Sequence, residues 1–223
     1  MEPLSCAWPA NAPAKEAFAA LVRREGARLY RDLPWRNVDD AYAVLVSEVM
    51  LQQTQVKRVL GRWERFLEKF PTPDALAAAS TSDVVGEWQG LGYNRRALAL
   101  KRACEICSQS YKGMFPDTVD ELMALPGIGP ATAAGVVAFA YNKPAMYLET
   151  NVRTVFLHEL FPGAEGVPDR EIEPLVRATC PKVNPRAWYY ALLDYGAHLK
   201  ATFGNASRRS AHYTRQSAFE GSR

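Results

Sequence analysis

The chain has 223 residues, 48% of them hydrophobic, which is enough to bury a core in one or two domains. Its formal net charge of +3 is a mild basic excess, compatible with a polyanionic partner without requiring one. No stretch approaches the roughly 18 apolar residues of a membrane span, and the N-terminus lacks a charged segment followed by an apolar core. These features argue against a membrane or secreted protein, and we expect a cytoplasmic one.

Helical periodicity dominates the sequence, and no run alternates like a strand over more than a few residues. After a loose lead over residues 1–14, helices are predicted over residues 16–30, 41–51, 56–69, 74–79, 84–89, 95–111, 150–161, 170–178 and 185–201. Prolines and small polar residues punctuate their ends, as in the N-cap cluster at residues 80–83. The sequence therefore predicts an all-α fold.

Residues 121–137, ELMALPGIGPATAAGVV, predict two helices joined by a tight hairpin over residues 125–129. The first helix should end at Pro126, and the second should begin at Pro130 and run to about residue 141. Gly127 and Gly129 allow positive φ and let another molecule come close. Backbone N–H groups at the start of the second helix would form an anion site, typically for a nucleic-acid phosphate. An ordinary corner between two core helices is the alternative.

Four further blocks occur in a fixed order around this hairpin. They are LPW at residues 33–35, SEVMLQQTQV at 47–56, GLGY at 90–93 and LETNVR at 148–153. Together with the hairpin they resemble the helix-hairpin-helix DNA glycosylase superfamily of endonuclease III and the adenine glycosylases, most of all the MutY type. The resemblance spans roughly residues 33–196. It implies a six-helix domain over residues 33–143 and a second helical lobe from residues 1–32 and 144–205, with a catalytic cleft between the two. The polar and basic composition of residues 206–223 predicts a flexible tail.

A glycosylase flips a base out of the duplex, protonates it, and stabilises the oxocarbenium-like sugar that remains. The resemblance gives the proton transfer to Glu48, whose mainly apolar neighbours predict a raised pKa. Glu149 stands where the family has Asp and would stabilise the sugar cation, although a capping role for the helix near Asn151 is the alternative. Ala131 replaces the lysine that bifunctional members use as a nucleophile, so we expect no AP-lyase activity.

The resemblance also implies residues that contact the base and the duplex. The residues of the base pocket would be Leu33, Trp35, Arg36 and Asp194. The residues that bind DNA would be Gln52, Gln53, Tyr93, Gly127, Ile128, Gly129, Ala131, Thr132 and Asn151. Among these, Gln52, Gln53 and Tyr93 would fill the gap left by the flipped base, with a core position as the alternative for Tyr93. Basic residues after the tyrosine are candidate phosphate contacts or a solvated helix face: Arg95, Arg96, Lys101 and Arg102.

The sequence departs from this family in two respects. Most relatives hold a [4Fe-4S] cluster through the pattern Cys-x6-Cys-x2-Cys-x5-Cys, whereas no cysteine follows Cys180 here. The pair Cys104 and Cys107 lies in a predicted helix without further ligands nearby. We therefore expect no cluster, no other cofactor and no metal. We also expect no counterpart of the C-terminal domain that reads 8-oxoguanine. Asn94 replaces a second tyrosine, and we therefore expect weaker discrimination of the opposing base.

These features predict a monomeric, monofunctional DNA glycosylase of base excision repair that acts on double-stranded DNA with a mispaired or damaged base. The expected target is adenine opposite G or 8-oxoguanine. One alternative is a glycosylase that removes thymine or uracil from mismatches, since such members share the hairpin and also lack the lysine. The other is a helix-hairpin-helix module that binds DNA without catalysis.

Overall fold

The structure, a computed structural model, describes residues 12–211. In chain order its helices are α1 (Ala12–Arg28), α2 (Ala41–Leu51), α3 (Val56–Val59), α4 (Arg62–Lys69), α5 (Pro73–Ala78), α6 (Thr81–Glu87), α7 (Arg95–Ser110), α8 (Val119–Met123), α9 (Pro130–Phe139), α10 (Thr150–Leu160), α11 (Asp169–Thr179), α12 (Pro185–Thr202) and a 3-10 helix (Ala206–Arg209). Within the described residues the β-structure is an isolated bridge between Val167 and Ser210. The predicted all-α class is confirmed. No helix of residues 12–211 has the length and apolarity to cross a membrane.

The chain divides into two compact units. The central unit comprises Asp32–Tyr141 and contains α2 to α9. Of the described residues, the terminal unit combines 12–31 with 142–211, and it contains α1, α10, α11, α12 and the 3-10 helix.

Two helices of the central unit are buried on nearly every side. In α9 all residues from Thr132 to Phe139 are buried, and in α2 only a few residues reach the surface. The two helices pack against each other, and helices that are apolar all round belong inside a core. Fully buried side chains such as Leu45 and Val46 each stabilise the fold by about 1.5–3 kcal/mol.

Polar side chains start several helices of the central unit. Asp40, Thr72 and Ser80 each accept a hydrogen bond from the backbone N–H three residues ahead, at 3.0–3.1 Å, and so begin α2, α5 and α6. The prediction of one continuous helix over residues 56–69 is wrong, because the segment forms two helices, α3 and α4. Gly61 has φ of 74°, a left-handed conformation that ends one helix before the next begins.

Glycines bring helices of the terminal unit into close contact. A Cβ on Gly26 of α1 would overlap Ala191 of α12, and a Cβ on Gly196 of α12 would overlap the backbone of Asn151 in α10. Because no side chain separates the helices at these two points, α12 lies directly against both α1 and α10.

The segment after α12 differs from the predicted flexible tail over its first residues. Arg209 donates hydrogen bonds to the carbonyls of Leu157 at 2.6 Å and Phe161 at 2.8 Å, at the end of α10. Its own carbonyl accepts from the N–H of Val167 at 3.0 Å. The prediction is therefore wrong for residues 206–211, because Arg209 caps a helix end. The rest of the predicted tail, and the predicted lead up to residue 11 with Cys6, lie outside the described residues.

Candidate functional site

Glu48 lies on the buried helix α2. Its neighbours Ser47, Val49 and Met50 are buried, whereas Glu48 itself is partly exposed. The carboxyl therefore stands at the edge of an apolar core and not on a solvated helix face. The role of Glu48 as proton donor stays a prediction.

The turn that follows α2, residues 52–55, is here called the glutamine turn. The amide nitrogen of Gln52 donates a hydrogen bond of 3.0 Å to the hydroxyl of Thr132, which links this turn to α9. Gln53 is exposed and has φ of 54°, a left-handed conformation that non-glycine residues adopt only where their surroundings hold them. Both predicted DNA contacts thus lie at the C-terminal end of the helix that carries Glu48.

Residues 90–94 form a second turn, here called the tyrosine turn. Gly90 and Gly92 have φ of 83° and 74°, and Tyr93 has φ of 50°. Tyr93 is 36% exposed, which excludes a core position. The guanidinium of Arg95 lies 6.0 Å from its ring centroid.

The two turns meet at one cleft of about 290 Å³. Its walls are formed by Gln52, Gln53, Tyr93, Arg95, Arg96, Ala99 and Gly127. The structure therefore brings together four of the predicted DNA contacts, from three separate stretches of the sequence, within the central unit.

The hairpin contributes Gly127 to this cleft, and its two glycines differ. Gly127 has φ of 74°, and a Cβ there would lie 2.6 Å from the Cβ of Ala99. Gly129 has an ordinary φ of −88°, so the predicted need for positive φ is correct for Gly127 alone. A Cβ on Gly129 would meet nothing within 4 Å. The chain's own packing therefore does not require glycine at position 129.

Gly129 is also the N-cap of α9, and no side chain caps this helix. The first N–H groups of a helix have no intrahelical partner, so the N-terminal end of α9 offers donors to an anion. Gly127 and Gly129 are exposed and Ala131 is partly exposed. Ile128 and Thr132 are buried at 6% and 7% exposure, so little of either residue is open to a partner.

The four basic residues of α7 that the sequence offered as phosphate contacts fall into different classes. Arg95 is exposed and lines the cleft. Lys101 and Arg102 both donate to Glu105, at 2.6 and 2.8 Å. Arg96 is buried and donates to backbone carbonyls, so a phosphate-contact role for it is wrong. An arginine in the first turn of a helix resembles a surface residue in sequence, and no local signal identifies its partners.

The predicted base-pocket residues of the central unit lie in a turn closed by a 2.9 Å hydrogen bond from the N–H of Arg36 to the carbonyl of Leu33. Trp35 and Arg36 are buried, and Leu33 is partly exposed. The ring of Trp35 meets the ring of Trp63 edge-on, with centroids 6.3 Å apart. This turn is therefore anchored in the core through Trp35.

In the terminal unit, Glu149 is the N-cap of α10. One carboxylate oxygen accepts hydrogen bonds from the N–H groups of Asn151 at 2.6 Å and Val152 at 2.9 Å. Burial raises the pKa of Glu149, although these hydrogen bonds and the charges of Lys200 and Arg153 act in the opposite direction. The capping role that the sequence left as an alternative is thus present.

Asn151 follows the cap and interacts with it. Its side-chain nitrogen lies 3.4 Å from the second oxygen of Glu149. Its side-chain oxygen is buried and accepts no hydrogen bond from the described residues. That oxygen can accept a hydrogen bond from a bound molecule or water.

Asp194 lies in the same terminal unit as Glu149, on α12. Its side chain is fully buried and pairs with the guanidinium of Arg31 at 2.5 Å. The sequence missed Arg31, since no spacing pattern connects residues so far apart in the chain. Any contact of Asp194 with a base remains a prediction.

Comparison with known families decides the classification. Residues 46–179, more than half of the chain, match the model described as HhH-GPD superfamily base excision DNA repair protein. The chain belongs to the HhH-GPD superfamily. The resemblance inferred from the ordered sequence blocks is confirmed.

Relatives within the HhH-GPD superfamily include an adenine DNA glycosylase of Mycobacterium tuberculosis, 38% identical over 179 residues. The match covers 76% of this chain and 57% of the relative, so the chain spans little more than half of that protein. A solved thermostable thymine-DNA glycosylase is 23% identical, with a TM-score of 0.73 over 82% of this chain and 86% of the other. An endonuclease III–DNA complex is also 23% identical, with a TM-score of 0.70 over 84% and 88%. At these identities the structures show a shared fold.

The cysteines do not fit the [4Fe-4S] cluster that the resemblance to HhH-GPD glycosylases raises. Cys104 and Cys107 are fully buried in α7, and burial raises the pKa of both thiols, that of Cys107 to about 11. Cys180 is half-buried, and no cysteine follows it in the sequence. Within residues 12–211, no group of three or more His, Cys, Asp or Glu could hold a metal ion.

Proposed function

We propose that this chain is a base-excision DNA glycosylase that hydrolyses the N-glycosidic bond of adenine mispaired with G or 8-oxoguanine. The observation that carries the proposal is the position of Glu48. It stands on a buried helix that ends at the cleft formed by the glutamine turn, the tyrosine turn and the hairpin. The 38% identity to an adenine DNA glycosylase supports adenine as the target.

In the proposed reaction Glu48 acts first as an acid and then as a base. Its carboxyl donates a proton to N7 of the flipped adenine, which lets the bond from N9 to C1′ break with its electron pair moving to the base. The resulting carboxylate takes a proton from the water that attacks C1′. Glu149 in its ionised form stabilises the positive charge on the sugar. Adenine and an abasic sugar are the products.

We also propose that the chain is a monofunctional enzyme that acts as a monomer and needs neither a metal nor a cluster. Ala131, at the first turn of α9, carries no amine with which to attack C1′. Borohydride should therefore fail to trap the protein on abasic DNA. Elemental analysis of the purified protein should find no iron. Trapping of the protein, or stoichiometric iron, would contradict this part of the proposal.

The central experiment measures base release under single-turnover conditions from duplexes with A:8-oxoG, A:G, T:G and U:G, followed by alkali. Wild type is compared with Glu48→Gln and with Glu68→Gln, which alters an exposed carboxyl on α4 of the same unit. Glu48→Gln should slow adenine release by about 10²–10⁴-fold, the usual contribution of a general acid or base, and should keep duplex affinity. Glu68→Gln should match wild type.

The substrates themselves provide further outcomes. Replacing adenine by 7-deaza-adenine removes N7, so release should fall in wild type. Release of thymine or uracil alone would favour the mismatch-pyrimidine alternative. Binding without release from any duplex, with no effect of Glu48→Gln, would favour the module without catalysis.

A further inference from the structure

Arg96 connects α7 to the end of the helix that carries Glu48. The side chain is buried, with 9% exposure. One terminal nitrogen, Nη1, donates to the carbonyls of Val49 at 2.7 Å, Met50 at 3.2 Å and Gln52 at 2.5 Å. These carbonyls lie in the last turn of α2 and just beyond it, where helix carbonyls lack intrahelical partners. Arg96 therefore caps α2 from another element.

The other terminal nitrogen of Arg96 contacts both turns of the cleft. Nη2 donates to the carbonyls of Leu91 at 3.2 Å and Gly92 at 3.1 Å in the tyrosine turn. It also lies 3.2 Å from the hydroxyl of Thr54 in the glutamine turn. A single guanidinium thus connects the two turns to each other.

The surroundings of this guanidinium include carbonyl oxygens, the Thr54 hydroxyl and aromatic rings. It lies 5.7 Å from the ring centroid of Trp88 and 5.5 Å from that of Tyr93. No carboxylate pairs with it among residues 12–211. Burial lowers the pKa of Arg96, but arginine remains charged in proteins. The negative end of the α2 dipole and the aligned carbonyls stabilise this charge.

Two of the carbonyls that Arg96 binds directly precede the two strained residues of the cleft. The carbonyl of Gln52 belongs to the peptide plane before Gln53, and the carbonyl of Gly92 belongs to the plane before Tyr93. Both residues are left-handed, with φ of 54° and 50°, a conformation that costs about 1–3 kcal/mol and persists only where contacts fix it. Arg96 fixes both peptide planes at once.

We propose that Arg96 is a positioning residue that holds Gln53 and Tyr93 in the arrangement that extrudes the target base from the duplex. The inference rests on the proposed function, because extrusion serves base release. Lysine cannot replace arginine in this role, since an ammonium group is a single point donor and cannot span acceptors on two turns.

The test compares wild type, Arg96→Lys, Arg96→Met and the control Arg65→Met. Arg65 is an exposed arginine of the same unit that pairs with Glu87. Three quantities are measured on variants shown to be folded by circular dichroism: affinity for an undamaged duplex, fluorescence of 2-aminopurine placed beside the target adenine, and single-turnover base release. The fluorescence reports unstacking and does not depend on bond cleavage.

Arg96→Lys and Arg96→Met should bind the undamaged duplex like wild type, because Arg96 is buried and its terminal nitrogens donate to backbone carbonyls. Both should lose the 2-aminopurine signal and should slow base release by on the order of 10²-fold, the usual effect of misplacing groups by about 1 Å. Arg65→Met should behave as wild type in all three measurements.

Wild-type fluorescence and release in Arg96→Lys would overturn the inference. So would an equal loss of affinity, fluorescence and release, or the unfolding of both variants, since each would make Arg96 a structural residue only. If wild type extrudes the base without releasing it from any duplex, the proposed function fails. The fluorescence comparison would then still decide the role of Arg96.

Discussion

Alanine at Gly127 should destabilise the fold through two separate effects. A non-glycine residue at φ of 74° costs roughly 1–2 kcal/mol. The new Cβ would also lie 2.6 Å from the Cβ of Ala99, and relief of such overpacking costs about 1–3 kcal/mol. The free energy of unfolding should therefore fall by about 2–5 kcal/mol, the sum of these two ranges.

Gly129→Ala is the matched control in the same hairpin. Its φ is −88°, and the added Cβ would meet nothing within 4 Å. Alanine is a poorer N-cap than glycine, which should lower stability by about 0.5–1 kcal/mol. Alanine also restricts the unfolded chain, which should raise stability by about 0.4–1 kcal/mol. Stability should thus change by less than about 0.5 kcal/mol, which is typical of an exposed position. Duplex affinity should fall about tenfold, because the methyl group obstructs the N–H groups of α9.

Urea unfolding followed by circular dichroism gives the stability of both variants, and fluorescence anisotropy of a labelled duplex at fixed salt gives their affinity. Glycine at position 99 lies inside α7 and itself costs about 1 kcal/mol, so Ala99→Gly alone is the reference for the double variant. In the Ala99→Gly background, Gly127→Ala should lose the overpacking part of its cost and keep the part due to φ. Equal destabilisation by the two alanines would refute the reasoning. So would wild-type affinity in Gly129→Ala.

Three other predictions concern residues of the terminal unit, namely Glu149, Gly26 and Arg31. Gly86 of the central unit is the control for Gly26. Burial raises the pKa of Glu149 above 4.5, so the folded state binds the proton more tightly than the unfolded state. The free energy of unfolding of wild type should therefore fall relative to that of Glu149→Gln as the pH rises through the raised pKa. Urea titrations that show the opposite trend would contradict this. Gly26→Ala should lower the melting temperature because its Cβ overlaps α12, whereas Gly86→Ala, in open space on α6, should stabilise by about 0.5–1 kcal/mol. Arg31→Met should lower the free energy of unfolding by about 1–3 kcal/mol. This is less than the cost of breaking a fully buried ion pair, because the side chain of Arg31 is 37% exposed. Adding Asp194→Asn should recover part of the lost stability, because it removes the unpaired buried charge.

The helices were largely predictable because their signals are local. The predicted bounds of residues 41–51 coincide with α2, and Pro185 in the first turn marks the start of α12. The break at Gly61 was missed because apolar periodicity continues on both sides of it. The order at residues 206–211 was missed because it depends on Arg209 reaching carbonyls of α10, which are distant in sequence.

The site shows the same division between local and distant signals. The family blocks indicated Gln53 and Tyr93, and the structure places both at one cleft. Their left-handed backbone has no sequence signal, because neither residue is glycine. The partners of Arg96 lie up to 47 residues away, and Arg31 is 163 residues from Asp194. Such pairs follow from tertiary packing, which periodicity and spacing do not encode.

The left-handed backbone at Gln53 and Tyr93 restricts how this cleft can evolve. Glycine, asparagine and aspartate adopt that conformation readily, whereas valine, isoleucine and threonine resist it. A randomised library at these two positions should therefore be enriched in the first group whatever chemistry is selected. Arg95 and Ala99 line the same cleft from helix α7, whose backbone accepts most side chains. Changes in the chemistry of the cleft should arise there first.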